Sequence, residues 1–165
     1  MQEPQTNPVE AEQLAPLYRL RPIRTLVVSD DLDYKDRALT VLSELGPIAF
    51  AIGSLWDADD VVKLVAAERA DVVVLDATGC PEDAATIICK LADALPRIGV
   101  VVVCQHCSDA ARELDALPKW GWTQDLRAGV ERAYGEGNPL RPRLLASVRR
   151  AGASQRRRLG PSIKG

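Results

Sequence analysis

Four consecutive valines, Val100, Val101, Val102 and Val103, constrain the fold of this chain more than any other feature. β-Branched residues favour extended backbone, and strand side chains alternate between two faces, so an unbroken run of this kind has to be buried on both sides. A sheet covered by helices on each face satisfies that requirement. Shorter apolar runs recur before it, at residues 25–28, 48–52 and 72–75. Between the runs the apolar spacing changes from two to about 3.6 residues, the change that separates strand from helix.

The intervening segments carry their own start and stop signals. Ala38, Leu39, Leu42 and Leu45 share one face of a helix over residues 34–45, which Gly46 and Pro47 end. Asp57 is placed to cap a helix running to about residue 69, with Val61, Leu64 and Val65 facing inward. Pro81 suits a first helical turn, Ala84, Ile87, Ile88, Leu91 and Leu95 form the apolar stripe behind it, and Pro96 closes it. Ser108 caps a short helix to residue 114, and Leu126, Val130 and Ala133 mark a last helix over residues 124–134. The fifth strand, at residues 116–120, is short and contains Pro118, which confines it to an edge or makes it irregular. Alternation of this kind predicts an α/β fold, a doubly wound five-stranded parallel sheet with a shortened fourth helix and fifth strand.

Residues 24–135 make the domain. Residues 1–23 carry Pro4, Pro8, Pro16 and Pro22 among polar residues and read as a disordered leader. From Asn138 onward there are eight basic residues and no acid, so residues 136–165 read as a basic linker or tail. With Phe50 the sole phenylalanine, an aliphatic core is expected. No run approaches the roughly 18–20 apolar residues of a membrane span, and residues 1–24 lack the apolar centre of a signal peptide, so a cytoplasmic location without membrane contact is expected. Four cysteines are too few for a disulfide-dense secreted scaffold.

Right-handed crossovers bring the carboxyl ends of parallel strands to one edge, where ligands and chemistry sit in open α/β sheets. The residues arriving there are Ser29, Asp30, Asp31, Asp76, Thr78, Cys80, Cys104, His106 and Cys107, with Lys119 from the fifth strand. Carboxylates gathered in one place repel unless a cation or lysine compensates them, and hard oxygen donors favour magnesium.

Over residues 24–134 the sequence resembles a receiver domain of bacterial response regulators, which has a flavodoxin-like fold. The resemblance is carried by Leu26-Val27-Val28-Ser29-Asp30 for the first strand and its acids, Leu42-Ser43-Glu44-Leu45-Gly46 for the end of the first helix, and Val72-Val73-Val74-Leu75-Asp76 for the third strand. Lys119, seven residues before Leu126, has the family lysine's spacing. The resemblance implies that Asp76 is the phosphoacceptor in a two-component phosphorelay, that Mg2+ is held by Asp30, Asp76 and the Thr78 carbonyl, and that Cys104 and Lys119 contact the phosphoryl group. It implies no enzyme activity, a homodimer and a histidine kinase partner.

The departures point to an atypical, orphan or pseudo-receiver. Counting back from Gly46 without a gap puts Ser29 at the first acidic position; a one-residue slip would pair Asp30 with Asp31. Cys104 replaces a hydroxyl residue by a weaker donor, Ala116 stands where the family has a switching aromatic, and Pro81 follows Asp76 by five residues rather than four. After Tyr134, the stretch 140–146 is similar to the linker of NarL/LuxR-type transcriptional regulators, which implies DNA contact only through an output domain that this chain lacks. Two alternatives stand beside this reading. One is a thiol or metal sensor using Cys80, Cys104, His106 and Cys107. The other is a receiver-like protein-interaction module, for which Trp120 and Trp122 offer a contact surface.

Overall fold

The computed structural model describes residues 22–52, 57–78, 81–106, 109, 112 and 114–136. Five parallel strands run β1 (Thr25–Val28), β2 (Ile48–Ala51), β3 (Val72–Asp76), β4 (Gly99–Cys104) and β5 (Leu117–Pro118), in the sheet order β2-β1-β3-β4-β5. Among the described residues, α1 (Leu32–Leu42), α2 (Ala58–Ala67) and α3 (Pro81–Ala94) connect the first four strands in turn, and α4 (Thr123–Glu136) follows β5. The expected helix over residues 108–114 falls largely outside the described residues.

The valine run behaves as its chemistry requires. Val100 and Val102 join Leu26, Val28, Val73 and Leu75 on the face covered by α2 and α3. Val101 and Val103 join Val27, Val72 and Val74 on the face covered by α1 and α4. Fully burying each such side chain is worth about 1.5–3 kcal/mol, and β3 and β4, at the centre, carry most of them. Toward β5 the sheet narrows to two paired residues, Val103 with Leu117 and Cys104 with Pro118. Pro118 has no N–H to give, and an edge strand has only one neighbour to pair with.

Two features differ from expectation. α1 begins at Leu32 rather than near residue 34, because Asp31 caps it: Asp31 Oδ1 accepts the backbone N–H groups of Asp33 at 3.0 Å and Tyr34 at 3.1 Å. The core is also not purely aliphatic, since Tyr34 is fully buried with Ala38 and Leu42 on the same face of α1. Two glycines let the chain pass close to itself. Gly46 turns toward β2 with φ of 151°, where an added Cβ would lie 2.4 Å from the Ile23 carbonyl oxygen. At Gly99 a Cβ would meet the Ala133 carbonyl oxygen at 2.6 Å, so glycine is what allows α4 to pack onto the start of β4.

Candidate functional site

The parallel register sets the ends of β1, β3 and β4 side by side: Val28 pairs with Leu75, and Asp76 with Val103. One residue past β1, Ser29 is buried, and its hydroxyl donates to Asp76 Oδ2 at 2.6 Å while accepting the Asp31 N–H at 3.2 Å. Lys119 follows β5, where its N–H donates to the Cys104 carbonyl at 2.8 Å and so fixes its backbone against β4. From there its ammonium lies 2.7 Å from Asp76 Oδ2 and 2.8 Å from Asp31 Oδ2. Both the Lys119 and the Asp76 side chains are only 2% exposed. The remaining Asp76 oxygen, Oδ1, accepts the Thr78 N–H at 3.0 Å, and the Thr78 hydroxyl accepts the Gln105 N–H at 3.1 Å.

Aromatic rings close the other side of the ammonium. Lys119 Nζ lies 5.2 Å from the Tyr34 ring centre and 5.8 Å from that of Trp120, and the two rings meet edge to face at 5.8 Å. Arg37 stacks over Trp120 and donates to the Gly121 carbonyl, tying α1 to the loop that carries Lys119. The Tyr34 hydroxyl is buried with no hydrogen-bond partner among the described residues.

The electrostatics follow from these contacts. Burial pushes the Asp76 carboxyl up, but hydrogen bonds from Lys119, Ser29 and Thr78 outweigh it and hold it below the usual carboxylate range. Asp31 is lowered first by its hydrogen bond to Lys119. For Lys119 burial acts downward, yet its bonds to Asp31 and Asp76 leave its pKa raised. Burial, reinforced by the negative charge of Asp76, raises the Tyr34 phenol well above its ordinary value. The result is a charged triad of two carboxylates and one ammonium, with a serine hydroxyl as an added donor.

Of the residues expected at this edge, the structure brings together Asp76, Lys119, Thr78 and Ser29. Asp30 is exposed and forms no ion pair with Lys119 among the described residues; the acid that reaches the lysine is Asp31. Cys104 is 1% exposed and disulfide-bonded, so it has no thiol hydrogen to donate, while Cys89 carries a free thiol. His106 is exposed, and Cys80 and Cys107 lie outside the described residues. Sequence reasoning did not find the roles of the Ser29 hydroxyl and the Tyr34 ring. The spacing of Tyr34, Ala38 and Leu42 at i, i+4 and i+8 was the signal for the second.

The fit of magnesium can be judged from the oxygens. Asp31 and Asp76 are hard donors of the right chemistry, but Lys119 takes one oxygen of each and backbone N–H groups take the others. The ammonium stands between the two carboxylates, where a dication would have to displace it or sit against its charge. No three acidic, histidine or cysteine residues converge to hold a metal among the described residues. As arranged, the residues fit a buried ammonium and do not fit the Mg2+ that the resemblance implies.

No family model matches the chain, and no curated protein matches it. Solved structures do. The signal receiver domain of an HD domain-containing protein from Pseudomonas fluorescens Pf-5 is 19% identical with a TM-score of 0.58, covering 70% of this chain and 97% of that one. The signal receiver domain of NarL from Mycobacterium tuberculosis is 20% identical with a TM-score of 0.55, covering 70% and 98%. A CheY-like protein, TadZ, from Pseudomonas aeruginosa PAO1 is 16% identical with a TM-score of 0.55, covering 70% and 95%. These likenesses establish the fold: a five-stranded parallel sheet with flanking helices, as in CheY-like receivers. Among the described residues no helix is long and apolar enough to cross a membrane.

Proposed function

We propose that this chain is an atypical response regulator receiver module that regulates a DNA-binding output through dimerisation, and that it transmits by protein contacts without magnesium-dependent phosphorylation of Asp76. The observation that carries this reading is the Lys119 ammonium held within 2.8 Å of both carboxylates. A phosphoacceptor has to meet its donor, and Asp76 is enclosed by Lys119, Ser29 and Thr78 with 2% of its side chain exposed. Phosphorylation adds about −1.5 to −2 charges and acceptor oxygens that need donors, and the disulfide sulfur of Cys104 supplies none. The linker-like stretch at residues 140–146, outside the described residues, supports the DNA-binding output.

The test is uptake of a phosphoryl group, or of beryllofluoride as its mimic, in the presence of magnesium, by the wild type and by Asp76→Asn. No uptake by either is the expected result. Saturable, magnesium-dependent uptake by the wild type that Asp76→Asn abolishes would identify a phosphorylated receiver instead.

A second reading, a receiver-like interaction module of another assembly, draws on Trp122 at 83% exposure beside Trp120 at 44%. Sedimentation of the purified chain separates the two. Self-association supports the dimeric regulator; a monomer that pairs only with a different protein through Trp122 supports the module.

A further inference from the structure

The two outer strands of the sheet are guarded unequally. β5 pairs with β4 only at Leu117 and Pro118, and the proline has no N–H to offer a further strand. β2, on the other side, pairs with β1 from Ile48 to Ala51 without a break, and among the described residues no strand lies on its outer side. The free N–H and C=O groups of an outer strand are a template for another strand, so natural sheets blunt them with charge, proline or a bulge. Ile48-Ala49-Phe50-Ala51-Ile52 carries neither charge nor proline.

The bonds to β1 fix which backbone groups are free. The Pro47 carbonyl accepts the Thr25 N–H at 3.0 Å and the Ala51 carbonyl accepts the Ser29 N–H at 3.1 Å. Successive strand residues direct their backbone groups to opposite sides, so Ile48 and Phe50 turn theirs away from β1, and Ile52 continues the alternation. Their side chains alternate as well. Ile48 and Phe50 pack on the face covered by α1, Ala49 and Ala51 on the face covered by α2. Lys35 Nζ stands 5.7 Å from the centre of the Phe50 ring, so that charge is held on α1 and not on the strand.

The order of residues selects the partner. Residues 48–52 read the same in both directions about Phe50. A two-fold axis through Phe50, perpendicular to the sheet, lays the same strand of a second copy antiparallel to the first, with Phe50 opposite Phe50 and Ile48 opposite Ile52. These are the residues with outward backbone groups, and each opposed pair exchanges two N–H···O=C bonds. Large side chains then meet on one face and alanines on the other, and no charge on the strand faces its own kind. An unrelated extended peptide would gain nothing from that symmetry.

We propose that two copies of this chain join through β2, antiparallel about Phe50, into one continuous sheet. This pairing rests on the dimerisation proposed above and supplies its surface.

Sedimentation equilibrium of the full chain carrying Ile52→Pro, with residue-resolved hydrogen exchange of the wild type, tests it. Ile52 is 46% exposed, and an outer strand accepts proline where the missing N–H would face solvent, so the fold persists, as circular dichroism can verify. Ile52→Lys is a second variant that keeps the N–H and sets a charge against Ile48 of the other copy. Both should weaken self-association, Ile52→Pro by on the order of tenfold or more because the axis doubles the loss. In the wild type the amides of Ile48 and Phe50 should exchange more slowly as protein concentration rises, and those of Ala49 and Ala51, already bonded to β1, should change less. Self-association of unchanged strength in folded Ile52→Pro or Ile52→Lys would overturn this pairing and leave dimerisation standing. A wild type that stays monomeric at every concentration would overturn both. Protection of Ile48 and Phe50 that is independent of concentration would mean that the chain covers its own strand, and would overturn the pairing alone.

Discussion

The two ends of one sheet handle charge in opposite ways. At the carboxyl edge Asp76 and Lys119 are buried and the partly exposed Asp31 joins them, with Ser29 and Thr78 completing Asp76 and the Asp33 and Tyr34 N–H groups completing Asp31. At the amino edge Arg69 and Arg97 remain exposed around an open groove. Parallel topology accounts for the signs. Helix N-termini gather at the carboxyl edge, where Asp31 and Asp57 cap α1 and α2, and helix C-termini gather at the other, where Arg69 and Arg97 follow α2 and α3. Topology does not account for the burial. That arises because Lys119 is fixed on the backbone of β4 and walled by Tyr34 and Trp120, so its charge has only the two carboxylates to meet.

The contrast makes the carboxyl edge fragile and the amino edge tolerant. Lys119→Met should have the largest effect, because it leaves the enclosed Asp76 carboxylate without its cation; a loss of about 3–5 kcal/mol in urea denaturation is expected. A loss below 1 kcal/mol would mean that the cluster is solvated after all. Ser29→Ala removes one hydrogen bond to a charged acceptor and should cost about 1.5–3 kcal/mol by the same measurement.

Asp31 and Asp76 have lowered values in the folded chain, so their contribution is present above the ordinary carboxylate pKa, about 4, and disappears as pH falls through the folded values. Lys119 is raised, so its contribution holds below about 10.4 and is lost only as pH rises above that. Thermal unfolding against pH should therefore show a plateau between these limits, and Lys119→Met, which removes the main cause of the lowered carboxylates, should flatten the acid limb. The smallest effect is expected at the other end: Arg69→Ala with Arg97→Ala should change stability by less than about 0.5 kcal/mol, since neither side chain is buried or paired among the described residues.

How much of this was legible in the sequence divides along the same line. The sheet was, because Val100, Val101, Val102 and Val103 can be buried on both faces in few ways, and Pro118 marks a weak edge. Asp76 and Lys119 could be placed at one edge by strand order alone. Which neighbouring acid turns inward could not be read, because Asp30 and Asp31 differ only in whether the chain has already entered the helix. Asp31 caps α1, and capping fixes its carboxylate beside Lys119, whereas Asp30 one residue earlier faces solvent. The enclosure of Lys119 likewise depends on two rings far apart in sequence, Tyr34 and Trp120, meeting at 5.8 Å.

Lys119 takes the place a divalent cation would need between Asp31 and Asp76. Titration of the isotopically labelled chain with Mn2+, read as paramagnetic broadening of the amide signals of Ser29, Asp31, Asp76 and Thr78, tests it most directly. No saturable, selective broadening is expected at these four positions in the wild type. Saturable broadening centred on them would show that the cation displaces the ammonium, and would contradict it.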